Sequence, residues 1–203
     1  MENGEHDIHG YDYGKAGVPS SPVTLEELQH FKISAGFTDD TERYLRMAGV
    51  VLAPQAPAIV QKWRSGIIAG IPHLARHSRA VNGDPRPGYL AATNLRFVQW
   101  IEDTCLRTYD QSWLNYQHEI ALRHTSLKKN QTDGVESTPF VPLHDAVAFV
   151  AVMNQTIRPY LATQGHSEAE VEAMHAAWCA SLQLQVALWL RSYATLANPT
   201  PEL

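Results

Sequence analysis

An all-α fold is what this sequence predicts, and three observations carry the prediction. No stretch sustains the period-two alternation of a half-buried strand. Apolar residues instead recur at i, i+3, i+4 and i+7 over successive windows. Capping signatures and Gly/Pro clusters punctuate the gaps between those windows. Together they give about seven or eight helices with short connections and no internal repeat.

In chain order, residues 1–22 are rich in Gly, Pro, Ser and acidic side chains and read as an irregular lead segment, onto which Tyr11 and Tyr13 could pack. Thr24 with Glu27 forms a capping box that opens a short helix to about Ile33. Thr38 or Asp39 starts a second helix carrying Tyr44, Leu45, Ala48, Val51 and Leu52. Pro54 and Pro57 predict a break, then a helix over about 55–68 bearing Ile59, Val60, Trp63 and Ile67. Residues 70–88 read as a loop with a single turn near 72–76. Helical spacing returns over 89–107 through Leu90, Phe97, Ile101 and Cys105, and Asp110 caps the next helix. After the loop 131–142 come a helix over about 143–162 and, from the capping box Ser167/Glu170, a long final helix through Met174, Trp178, Leu182, Val186 and Trp189. Asn198-Pro199 ends the pattern. The organisation expected is an N-terminal segment 1–22, a domain 23–196 and a tail 197–203.

The chain's 203 residues, 44% of them hydrophobic, are enough for one domain with a sizeable core. A net charge of −5 with scattered basic residues argues against a nucleic-acid partner. Cys105 and Cys179 each stand alone in an apolar helical pattern, so neither a disulfide framework nor a thiolate metal site is expected. The first fourteen residues hold no apolar signal core, and the longest apolar run, 146–153, falls far short of the ~20 residues that span a bilayer. The reading is a soluble, cytoplasmic protein with no membrane partner.

The residue with most to say is His124. Trp113, Gln117, Ile120, Ala121, His124 and Leu127 share one helical face, which aims an imidazole into an apolar interior. A buried imidazole needs a hydrogen bond or a metal to offset its desolvation, and a satisfied core histidine is the plainer alternative. Phe97 on the preceding helix and Phe149 on the following one lie on faces directed inward. One interior histidine among aromatic helices suits a flat haem held by a single imidazole, although ordinary core packing accounts for the phenylalanines equally well. Other constellations fail. His118-Glu119 lacks the second histidine of a zinc protease, since Leu122 holds that position. His73 and His77 have i, i+4 spacing but sit among Pro72, Arg76 and Arg79, which reads as a solvated turn. The remaining histidines read as surface or capping residues, and no phosphate loop or nucleophile elbow occurs.

At this point several motifs, in order, carry a resemblance. They are Gly10-Tyr11-Asp12-Tyr13-Gly14, Tyr89-Leu90-Ala91-Ala92 with Arg96-Phe97 and Trp100-Ile101, the run from Trp113 to His124 with Lys128 to Asp133, Val147-Ala148-Phe149, and Leu184 to Trp189. Together they resemble the protoglobins, single-domain haem proteins related to the sensor globins, over nearly the whole chain. The resemblance implies a globin fold with an extra N-terminal helix, haem b as cofactor, and His124 as proximal ligand to iron. It sets Phe97 and Phe149 on the distal side and matches Trp63 to a tryptophan of the second main globin helix. It further implies an N-terminal segment covering the haem edge, reversible binding of O2, CO or NO, and a homodimer through the last two long helices. One departure stands out. Relatives carry a distal tyrosine directly after this tryptophan, and here Arg64 holds the place, or Ser65 if an insertion falls earlier. An arginine could donate to bound gas, or point to solvent or a propionate. A gas sensor or carrier is the leading expectation. The alternatives are a haem enzyme, peroxidase-like or handling nitric oxide, with Arg64 as its distal group, and a cofactor-free helical module.

Overall fold

The computed structural model describes residues 8–197. The chain is all-α and 70% helical, consistent with a globin fold, and the one β-type pairing among the described residues is an isolated bridge between Arg79 and Pro85. Helix α1 (Leu25–Ser34) opens on the reciprocal Thr24/Glu27 capping box, and α2 (Asp39–Leu52) on a similar pair, Thr38 and Thr41. The prolines that predict a break instead seed turns. Pro54 and Pro57 lie in the first positions of a 3-10 turn (Ala53–Gln55) and of α3 (Ala56–Gln61), where a missing N–H leaves no helical bond unmade. From there the chain widens into a π-helical turn, Lys62–Ile67, and tightens again over Ile68–Gly70. The expected loop 70–88 holds α4 (Pro72–Ala75) and a 3-10 turn (Arg76–Ser78).

Helices α5 (Pro87–Leu106), α6 (Gln111–Leu122), α7 (Leu143–Leu161) and α8 (Glu168–Ala197) form the bulk of the domain. The expectation for Asn198-Pro199 falls outside the described residues. Helix α8 is the hub, packing on α1, α2, α6 and α7, while α5 crosses α2 and α3. Gly49 makes the α2–α5 crossing possible: a Cβ there would overlap Leu106 and approach Cys105 Cβ at 2.8 Å. Trp178 lies at the centre of the core, fully buried, with Trp63 and Trp100 rings 6.5 and 5.9 Å away. Indole donors fix the hub in register: Trp100 Nε1 donates to Gln185 Oε1 (2.8 Å) and Trp189 Nε1 to Gln117 Oε1 (3.0 Å). Pairing these buried groups avoids the roughly 1–3 kcal/mol cost of an orphaned donor. Among the described residues, no helix is long and apolar enough to cross a membrane.

Candidate functional site

A cavity of about 280 Å³ opens between α5, the end of α6, α7 and the Lys62–Ile67 turn. Its apolar wall includes Phe97, Phe149, Ile120, Met153 and Val141, and its polar rim includes Arg64, Tyr89, Arg96, Arg123 and Lys129. His124 faces this space.

His124 lies two residues beyond the end of α6. Asp110 caps α6 through Trp113 N–H (2.9 Å), and the last α-helical bond runs from Arg123 N–H to Glu119 O (3.0 Å). His124 N–H then reaches only three residues back, to Ala121 O (3.0 Å), and Val141 N–H ties down His124 O (2.7 Å). The extrapolation of the α6 face therefore fails at Leu127, which is 51% exposed. The imidazole still points inward. Its Nδ1 lies 2.8 Å from Ile120 O, and a carbonyl oxygen can only accept, so Nδ1 carries the proton. Nε2 is left with a lone pair and no hydrogen-bond partner among the described residues. Burial keeps the ring neutral, and the nearby charges of Arg64 and Lys129 act in the same direction, outweighing the opposing Ile120 hydrogen bond.

The loop after α6 and the N-terminal segment are bound to each other by charge. Buried Glu119 accepts from Arg123 Nε (2.8 Å) and Lys128 Nζ (2.6 Å). Arg123 also donates to Asp12 Oδ2 (2.8 Å) and to Gly10 O. Arg96 makes a two-pronged bond with Asp133 (2.6 and 3.0 Å) and reaches His9 O. Gly10 has φ +73° and leaves no room for a side chain, since a Cβ would lie 2.6 Å from Thr132 Cγ2. Tyr11 and Tyr13 set their rings edge-on to Tyr116, and Tyr11 OH donates to Asp103 (2.7 Å). The lead segment thus packs over the cavity's rim instead of trailing from the domain.

The opposite side is built by the π turn. Ile68 N–H reaches both Trp63 O and Arg64 O, the i→i+5 pattern that adds about one residue to a turn and recurs at functional sites. Trp63 is fully buried and does not line the cavity; it packs behind Phe97 (5.3 Å between rings) and donates to Thr156 Oγ1 (2.8 Å). Arg64 lines the cavity, with its guanidinium 5.2 Å from the Phe97 ring, while Ser65 is exposed and bonds Gln61. That separates the two alignments left open above: the cavity-facing residue after Trp63 is Arg64. Burial lowers the Arg64 pKa to about 10, still a cation at neutral pH.

His77 corrects the sequence reading. It is buried and lines the cavity, with Nδ1 2.7 Å from Thr138 Oγ1 and Nε2 3.6 Å from Asp145, whereas its i−4 partner His73 is exposed. Of the histidines expected at the surface, His175 is half-buried and bonds Asn154 O (2.8 Å); His118, dismissed as a metal ligand, bonds Ser192 Oγ on α8 (2.8 Å). Sequence reasoning assigned no role to Tyr89, Thr93 or Lys129. Tyr89 and Thr93 precede Phe97 by eight and four residues on α5, so helical spacing could have found them. Lys129 and His77 lie in loops without periodicity, where no such signal exists.

The donor set tests which cofactor fits. Among the described residues no three His, Cys, Asp or Glu side chains gather as a metal site, so His124 alone cannot chelate a free ion. One imidazole lone pair, two aromatic walls and a cationic rim do fit a flat metalloporphyrin, whose ring supplies the other ligands and whose edge carries carboxylates. The family model described as Protoglobin matches residues 24–196. No curated protein matches the chain.

Proposed function

This chain belongs to the protoglobin family, which implies a haem cofactor and a globin-type gas-binding protein; on that premise we propose that it holds haem b through His124 Nε2 and reversibly binds O2, CO or NO in gas sensing or handling. The observation that carries this reading is the His124 imidazole, with its Nδ1 proton committed to Ile120 O at 2.8 Å and its other nitrogen free beside the cavity. That hydrogen bond selects the ligating tautomer and fixes the ring plane. Held by His124, haem would supply an open coordination position for a diatomic ligand. Phe97 and Phe149 would keep water from that position, and Arg96, Arg123 and Lys129 of the rim would match a carboxylate-bearing edge. Arg64 keeps its proton at neutral pH and is therefore a donor and not a base. The test is the absorption spectrum of the ferric, ferrous and carbonyl forms in the wild type and in His124→Ala. Loss of tight haem retention or of the five-coordinate ferrous spectrum is expected, and unchanged spectra in the variant would refute the assignment.

A second reading, a haem enzyme acting on peroxide or nitric oxide, draws on one observation: His77 beside Asp145 brings an acid–base group to the cavity wall. Steady-state peroxide turnover in the wild type, Arg64→Ala and His77→Gln separates the two, since a binding protein shows no turnover for these variants to remove. A homodimer through α7 and α8 is the expected assembly, and exposed Val147 and Leu190 leave apolar surface on those helices. Sedimentation velocity reads it directly, and a monomer at micromolar concentration would remove it. The two free thiols are in keeping with a reducing cytoplasm.

A further inference from the structure

We propose that Arg64 makes the cavity a receptor for a small planar monovalent anion of the nitrite or formate type, held on the side of the cavity across from the His124 imidazole. The inference deepens the gas-binding reading, because the anion would share the cavity with the cofactor, but its evidence is Arg64 itself. Of the five N–H donors of this guanidinium, one makes a hydrogen bond among the described residues, Nη1 to Ser78 Oγ, at a long 3.4 Å. Nε is buried without a partner. No carboxylate among the described residues pairs with the group; the charged or titratable neighbours that act on it are Tyr89 and another cation, Arg96.

The other cations that line the cavity are satisfied. Arg96 holds Asp133 in a bidentate pair, Arg123 divides its donors among Glu119, Asp12 and Gly10 O, and Lys129 Nζ spreads over His77 O, Ser137 and Asn130. A half-buried guanidinium with a buried, unpartnered Nε and no carboxylate beside it among the described residues is a standing cost, and the group that relieves it is an anion. Its fork matches two oxygens in one plane, which selects XO2⁻ anions over spherical ones. Phe97 under the guanidinium and the apolar wall exclude bulky, strongly hydrated polyanions. Tyr89 also lines the cavity, and its phenol, kept protonated by burial, offers a second donor.

The same carboxylate chemistry could come from a free anion or from a propionate of the cofactor, and the experiment has an arm for each. Nitrite and azide are titrated spectroscopically into ferric haem-loaded wild type, Arg64→Met and Arg64→Lys, with CO binding to the ferrous forms as the neutral control. Arg64→Met should weaken nitrite by about 10- to 100-fold, the weight of charge-assisted hydrogen bonds, with Arg64→Lys intermediate and a much smaller change for neutral CO. Haem transfer to an acceptor apoprotein should proceed at the wild-type rate. Faster haem loss from Arg64→Met with unaltered nitrite affinity would assign Arg64 to a propionate and overturn the proposal. A third arm needs no haem: at fixed ionic strength, sodium nitrite should raise the melting temperature of the apoprotein, and of Arg64→Met not at all. Preparations that never take up haem sink the gas-binding reading while leaving this arm to decide; equal shifts in both proteins, or none in either, sink the anion site.

Discussion

The two sides of the cavity are built on opposite electrostatic plans. On the side of His124, every cation has an assigned partner: Arg123 and Lys128 converge on Glu119, Arg96 clasps Asp133, and the segment 8–14 closes over them. On the side of Arg64, a π-helical turn delivers a guanidinium with one long hydrogen bond and an aromatic ring beneath it. A saturated network holds its members in one arrangement, which keeps the wall around His124 fixed. An unsaturated donor set is a place where something else is meant to bind. Order and vacancy of hydrogen-bonding capacity, more than residue identity, distinguish the wall that positions from the wall that recognises.

Replacing the positioning residue should have the largest effect on this contrast: His124→Ala is expected to lose haem retention by orders of magnitude, read as the rate of haem transfer to an acceptor protein. Next comes the network. Arg123→Met leaves Glu119 with Lys128 as its remaining cation and releases Asp12 and Gly10 O, and breaking such a buried pair costs about 3–5 kcal/mol, measured by urea unfolding. Equal stability of this variant and the wild type would show the ordered wall to be incidental. In the opposite direction, Arg64→Met should raise the stability of the anion-free apoprotein by about 1–3 kcal/mol, because it removes an uncompensated buried charge. A destabilised variant would mean that Arg64 is paired after all. Trp63→Phe deletes the Thr156 hydrogen bond behind the recognising wall and should cost about 1 kcal/mol by thermal melting.

The smallest effect is on pH. Burial depresses the His77 and His118 pKa values, so below about 6.5 the unfolded chain binds protons that the folded one refuses. Stability is therefore complete above that pH and falls as the pH drops from it towards the lowered folded values. His77→Gln should flatten the slope below about pH 6.5 in urea titrations. An unchanged slope would detach His77 from the buried wall.

Much of this was legible in advance. The capping boxes at Thr24/Glu27 and Ser167/Glu170 fall where their local hydrogen bonds require, and the spacing that singles out Phe97 and Phe149 leads both to the cavity. The misplacements share a cause. His124 was extrapolated along a helix that ends two residues earlier, because the pull of Val141 N–H on His124 O comes from 17 residues ahead. His77 was read as solvated from its charged neighbours, yet Thr138 and Asp145 lie 61 and 68 positions away along the chain.

Helix-forming segments, their boundaries to within a few residues, the absence of sustained alternation and the one histidine on an aromatic-facing surface were all determined by the sequence itself, since each follows from periodicity and capping over a turn or two of chain. Only the tertiary structure decided that the lead segment clasps the rim, that the π turn presents Arg64 and not Ser65, and that this arginine meets no acid partner among the described residues. Charge pairing and burial depend on residues far apart in the chain meeting in space, and no local pattern encodes those meetings.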